Sequence, residues 1–221
     1  MPRDIEILTN LFEEHRNSHD AEPMKRYMKN HFSFLGIKSP QRKELEKQFF
    51  HETGMLKEPF NRAFVFELWD KEEREYQYTG LVYLEKSMKK LQKDDLLSME
   101  KLITTKSWWD TVDAISPKPV GEIAKRFPEV IAETIDGWAE GDAIWLRRAA
   151  LLFQLKYKQG TNEELLYRYI KQNADSKEFF IQKAIGWALR EYSKTNPASV
   201  KHFIDENQLA PLSVREGSKY L

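Results

Sequence analysis

The chain has 221 residues, 41% hydrophobic and 32% charged, and its 35 basic and 35 acidic side chains cancel. A chain of this length buries roughly 70% of its unfolded surface and needs no covalent staple. With no cysteine, it excludes disulfide scaffolds, thiolate zinc sites, iron–sulfur clusters and thiol nucleophiles.

Met1 to Asn10 carries acidic residues where a signal peptide needs an apolar core, and the longest apolar run, Ala149 to Phe153, is far short of a bilayer span. A soluble, cytoplasmic protein is expected. Glu22 to Lys43 carries Lys25, Arg26, Lys29, Lys38, Arg42 and Lys43 against one acid. Ser39-Pro40 reads as an N-cap followed by proline in the first turn of a helix. Strands have little support, because glycines number only nine and no hairpin dipeptide sits between alternating apolar runs.

In Lys106 to Asp113, Trp108 falls on an inward stripe with Val112 and Ile115, which makes it a core residue. Trp109 and Asp113 stand one turn apart on another side, so indole and carboxylate can line a common surface. A lone acid on a helix is more often simply solvated. Phe127-Pro128 marks a helix boundary. Glu129 to Asp142 then carries five acids and no base, as expected of a surface facing away from an anion.

Asp142 to Lys158 reads as one helix, apolar almost all round and placed in the middle of a stack. From Trp145 to Lys158 it carries Arg147, Arg148, Lys156 and Lys158 with no acid. Arg148 lies within the stripe of Ile144, Leu151 and Leu155, where a guanidinium cannot stay unpaired. Its partner is a protein carboxylate or an anionic ligand such as phosphate, and the sequence leaves both open. Thr161 to Glu164 and Asp175 to Glu178 both fit a capping box. In the helix expected from Ser176 to Tyr192, the residues Ile181, Ala184, Ile185, Ala188, Leu189 and Tyr192 make a full apolar stripe. At about 100° per residue, Lys183, Trp187 and Arg190 project from the opposite side. There Trp187 is either covered by a neighbouring element or is an aromatic wall flanked by phosphate contacts. Asn196-Pro197 reads as another N-cap followed by proline in the first turn of a helix.

The whole reads as about a dozen helices in a single domain over residues 1–221. Small residues recur at Gly80, Ala114, Ala150 and Gly186, with spacings of 34, 36 and 36. Tryptophans recur at Trp69, Trp109, Trp145 and Trp187, with spacings of 40, 36 and 42. Such a period suits stacked helix pairs of a HEAT-like solenoid, with a non-repetitive bundle as the alternative. His15 and His19 have i, i+4 spacing but no third ligand near them, and no phosphate-binding loop or nucleophile elbow is present, so neither metal nor cofactor is expected.

Several long blocks resemble one family. Ala21 to Phe32 with Phe34 to Ile37, Thr105 to Asp110 with Val112-Asp113, Trp145 with Arg147 to Lys158, Ser176 to Trp187 and Leu189 to Tyr192 are similar to the AlkD-type bacterial DNA alkylation-repair glycosylases. The resemblance implies an all-α superhelix (α-solenoid) of HEAT-like repeats with a basic concave groove for double-stranded DNA. It also implies excision of cationic alkylated purines, chiefly N3-methyladenine and N7-methylguanine. Carried over by position, it places cleft tryptophans at Trp109 and Trp187, the catalytic carboxylate at Asp113, and DNA contacts at Arg148, Arg190 and Tyr27. Tyr27 also falls on the stripe of Met24, Met28 and His31, which fits plain core. Lys183, Lys156 and Phe179 join the expected DNA-binding set. The implied partner is alkylated duplex DNA bound by a monomer on the bacterial nucleoid.

These residues permit a simple reaction. A purine alkylated at a ring nitrogen is already cationic and leaves neutral, so no acid has to protonate it. A carboxylate can stabilise the oxocarbenium-like sugar and orient water, while two indole faces hold the cationic nucleotide. The resemblance implies that the lesion stays in the duplex rather than entering a pocket. Two other readings compete: a HEAT-like protein that binds distorted duplex without cleaving it, and a protein-docking solenoid. Asp113 beside Trp109 disfavours the first, and Arg148 with the Trp187 face disfavours the second.

Overall fold

The computed structural model describes residues 3–221, and every element is helical apart from one isolated bridge between Ser33 and Glu73. Its helices gather into two compact units, one ending at Leu91 and the other spanning Gln92–Leu221.

The first unit holds α1 (Arg3–Glu13), α2 (Ser18–Tyr27), α3 (Ser39–Thr53), α4 (Arg62–Asp70) and α5 (Arg74–Ser87). α1 buries Ile5, Leu8 and Phe12, a stripe of i, i+3, i+7 spacing. Asn17 caps α2 through its side-chain oxygen, which accepts from the His19 and Asp20 N–H groups. α2 stops at Tyr27 because Lys29 and Asn30 take left-handed φ values of 57° and 60°. The stripe of Met24, Met28 and His31 therefore does not continue along one helix, and Tyr27 is 71% exposed rather than core. α3 starts with Ser39 as its first helical residue and Lys38 at the cap position, one residue earlier than the Ser39 cap expected. The segment before it is tied down by Glu75 of α5, whose buried carboxylate accepts from the N–H groups of Leu35, Gly36 and Ile37 at 3.0, 2.9 and 3.1 Å. Burial pushes the Glu75 carboxyl up, and these donors oppose the shift. Trp69 of α4 lies against α5 beside Gly80, where a Cβ would stand in ordinary contact with the indole at 3.4 Å.

The second unit holds α6 (Asp95–Thr104), α7 (Trp109–Ile115), α8 (Gly121–Arg126), α9 (Asp136–Glu140), α10 (Ile144–Leu152), α11 (Glu163–Gln172), α12 (Phe179–Ser193), α13 (Pro197–Glu206) and α14 (Pro211–Gly217). A π-helical segment, Ser116–Val120, joins α7 to α8, and another, Ile131–Ile135, leads into α9. α8 ends at Arg126, just before Phe127-Pro128. α10 is shorter than the expected run of 142–158. The chain leaves it at Phe153, whose carbonyl lies where a Cβ on Gly121 would come within 2.5 Å. Beyond it Gln154 bonds the backbone of Asn162, which closes the turn. Asn162 caps α11 in place of Thr161, with its Oδ1 accepting from Leu165 N–H at 3.0 Å. α12 begins at Phe179 rather than Ser176, and no side-chain cap bond forms at its start, so Asp175 does not act as the box expected. Its stripe of Ile181, Ala184, Ile185, Ala188 and Leu189 is buried as the periodicity predicts, with Tyr192 half-buried at its end.

Candidate active site

A cleft of about 270 Å³ opens in the second unit, lined by Trp109, Asp113, Arg148, Phe179, Phe180, Lys183, Trp187, Arg190 and Glu216. Four separated stretches of sequence supply it.

α7 delivers the first pair. Lys106 sits at a left-handed φ of 50° and Trp108 is fully extended, so the chain turns sharply before helical geometry begins at Trp109. Asp113 follows one turn later on the same side as Trp109. Trp108 is not on the helical stripe with the buried Val112 and Ile115. It stands half-buried ahead of the helix, with its ring centroid 5.2 Å from Phe180 and 5.7 Å from Trp145. Phe180 and Trp145 lie 4.9 Å apart, so three rings form an aromatic floor beside the cleft.

α10 supplies Arg148, only 4% exposed, and its partner is a carboxylate: Nε donates to Asp113 Oδ1 at 2.7 Å and Nη2 to Oδ2 at 2.8 Å. The third nitrogen donates to the Phe180 carbonyl, and the guanidinium lies 5.8 Å from the Phe180 ring centroid. A two-pronged bond of this kind fixes the carboxylate's plane as well as its position. It also turns Arg148 inward onto Asp113. The Asp113 side chain remains 17% exposed toward the cleft. Burial raises the Asp113 carboxyl above the ordinary aspartate value of 3.8, Asp110 adds to the rise, and Arg148 opposes it.

α12 contributes one wall. Lys183, Trp187 and Arg190 share its half-buried face, opposite the buried stripe. Phe179 is 55% exposed at the helix start, with the Lys183 ammonium 5.9 Å from its ring centroid. α14 closes the site with Glu216, which accepts from Lys183 at 3.0 Å, Arg190 at 3.3 Å and Lys219 at 2.7 Å. Hydrogen bonds from Lys219 and then Lys183 hold its carboxyl down at about 2.

Seven of the nine residues expected at the site therefore share one cleft: Trp109, Asp113, Arg148, Phe179, Lys183, Trp187 and Arg190. Lys156 is exposed on the turn after α10 and does not line it, and Tyr27 belongs to the first unit. Sequence reasoning missed Phe180 and Glu216. Extending the Lys183–Trp187 face one turn back reaches Phe180, so periodicity carried that signal. Glu216 arrives from a short separate helix and had none. Among the described residues, no group of three or more histidine, aspartate or glutamate side chains is placed to hold a metal ion. No helix among them is long and apolar enough to cross a membrane.

Comparison with known proteins gives this cleft its context. A crystal structure from Streptococcus mutans UA159 (smu.31) shares the fold at a TM-score of 0.60 and 18% identity, covering 81% of this chain and 97% of that one. A predicted DNA alkylation repair enzyme from Enterococcus faecalis is similar at a TM-score of 0.85 and 36% identity, covering 93% of this chain and 96% of its own. No curated protein matches. The sequence model described as DNA alkylation repair enzyme matches residues 8–221. With that model spanning nearly the whole sequence, cleft included, the chain belongs to the DNA alkylation repair enzyme family.

Proposed function

We propose that the chain is an AlkD-type DNA glycosylase that hydrolyses the N-glycosidic bond of cationic N3- and N7-alkylated purines in duplex DNA. The observation that carries this reading is Asp113, braced by Arg148 and set in one cleft with the half-buried indoles of Trp109 and Trp187. The glycosidic electron pair leaves with the base, which departs neutral. The deoxyribose becomes oxocarbenium-like, and a carboxylate held nearby stabilises that charge without having to reorganise. Each Asp113 oxygen gives one lone pair to Arg148 and keeps another. Water can be oriented there, and its proton passes through Asp113 to solvent. The indoles offer electron-rich faces to the cationic nucleotide.

Arg148 then serves as the brace of the carboxylate, while Lys183, Arg190 and the exposed Lys156 meet phosphates, with Tyr27 and Phe179 as further DNA contacts. A cleft of about 270 Å³ walled by open aromatic faces suits a nucleotide held against a surface, with the base not flipped into a pocket. In this reading the helices stack as a HEAT-like solenoid with a basic concave groove, acting as a monomer on the nucleoid of the cytoplasm.

The second reading, a protein that binds distorted duplex without cleaving it, draws on one observation: both Asp113 oxygens already hold Arg148, as in a structural ion pair. Incubation with N-methylated duplex DNA separates the two. Release of free 7-methylguanine and 3-methyladenine is expected, and retention of DNA with no base released favours the binder.

A further inference from the structure

α14 sits on α12 almost backbone to backbone. A Cβ at Gly186 would lie 2.5 Å from Glu216 Cβ and 3.0 Å from the Ser213 carbonyl oxygen, and one at Gly217 would lie 3.1 Å from Leu189 Cβ. Ser213 Oγ donates to the Gln182 carbonyl at 2.9 Å. This close seat leaves the Glu216 carboxylate little freedom. Its Oε1 accepts from Lys183 Nζ at 3.0 Å, and its Oε2 accepts from Lys219 Nζ at 2.7 Å and Arg190 Nη1 at 3.3 Å. Lys183 and Arg190 stand one on each side of Trp187 along the α12 face, so a single carboxylate spans the indole.

The exposures are unequal. The Glu216 side chain is 11% exposed, against 36% for Lys183 and 26% for Arg190. The carboxylate is tucked beneath the cations, and it uses only part of their hydrogen-bonding capacity, since an ammonium has three donors and a guanidinium five. Both cations keep donors for another anion while their positions are fixed from below. The same carboxylate also removes one unit of positive charge from the cleft, which weakens its pull on any polyanion.

Resting on the reading that this cleft takes duplex DNA, we infer that Glu216 is a positioning residue. It fixes Lys183 and Arg190 on either side of Trp187, where they meet the phosphates next to the damaged nucleotide, and it gives up nonspecific affinity for duplex in doing so.

The test compares wild type, Glu216→Gln and Ser213→Ala. Binding is measured on unmodified duplex across a salt series, and 7-methylguanine release is measured under single turnover. Glu216→Gln is expected to bind unmodified duplex roughly threefold or more tightly at low salt, because a negative charge has left the cleft. It is expected to release base about tenfold or more slowly, because the cations lose their fixed places. Ser213→Ala removes one α12–α14 hydrogen bond while leaving every charge of the cluster in place, and should show neither change. Unchanged or weaker binding by Glu216→Gln overturns the inference, as does tighter binding with undiminished release. The same pair of changes in Ser213→Ala also overturns it, by tracing the effect to a loosened helix. A wild-type chain that releases no base overturns the glycosylase reading instead, and the binding comparison then decides on Glu216 alone.

Discussion

Asp113 and Arg148 form a pair in which each side chain sets the other's behaviour. Burial lifts the Asp113 carboxyl above 3.8 and Arg148 works against the rise. In the proposed reaction the ionised form does the chemistry, so release should fall on the acid side with a midpoint above that of an ordinary aspartate. Arg148→Met should slow release and move that midpoint to higher pH, which a pH series of single-turnover rates checks. The sign in stability is the reverse. Folded Asp113 holds its proton more tightly than the unfolded chain does, so its contribution is greatest in acid and is lost as pH rises through the folded value. Trp187 lines the cleft opposite the buried stripe, so Trp187→Ala should slow release with little change in melting temperature. Ile181→Ala, on that stripe at 1% exposure or less, should cost about 2–5 kcal/mol. The contrast marks how far single residues were legible in the sequence. One helix's period was enough to separate Trp187 from Ile181. The same logic established that Arg148 needed an anion, but Asp113 lies 35 residues away on another helix, beyond the reach of local periodicity. Trp108 was misplaced for a local reason: the left-handed turn at Lys106 delays the helix by one residue, and no glycine announces it.

At the scale of elements, the cleft depends on how closely α14 approaches α12. Gly186 carried a real signal as one of four recurring small residues, and it is where α14 lands, whereas at Gly80 a Cβ would meet Trp69 only in ordinary contact. Gly121 and Gly217 make comparably close approaches outside that recurrence, so the period captured only some of the contacts. Gly186→Ala gains about 1 kcal/mol in helix propensity. Its new methyl would come within 2.5 Å of Glu216 Cβ and 3.0 Å of the Ser213 carbonyl oxygen, and overpacking of this kind costs about 1–3 kcal/mol. A net loss of melting temperature is expected, together with slower release as Glu216 shifts. Helix ends were the least legible feature. Asn162 caps α11 where Thr161 was expected, and α12 starts three residues late, because Ser176's carbonyl is taken by the Gln182 side chain rather than by a helical turn.

Across the whole molecule, composition predicted segregated charge, and the structure shows what the acidic run pairs with. Glu129 and Glu133 hold Lys93 at 3.3 and 2.8 Å, Asp136 holds Arg168 at 2.6 Å, and Glu140 accepts from Gln172 at 2.9 Å. The run from 129 to 142 thus makes exposed pairs with Lys93 and with α11, on a surface away from the cleft's lining. With net charge zero, the proposed affinity for DNA has to come from local clusters, and it should be steeply salt-dependent. A titration on undamaged duplex should show log K falling with log salt by about 0.9 for each phosphate contacted. A flat response would remove the phosphate contacts from the account.

The most direct measurement is 7-methylguanine release by Asp113→Asn. Asparagine keeps one oxygen for the Arg148 guanidinium but sets an amide N–H against its other donor, so melting temperature should fall while the chain still folds and binds duplex. Release should drop at least about a hundredfold, the usual cost of losing one electrostatic stabiliser of a transition state. Release at the wild-type rate by a folded, DNA-binding Asp113→Asn protein would contradict the account.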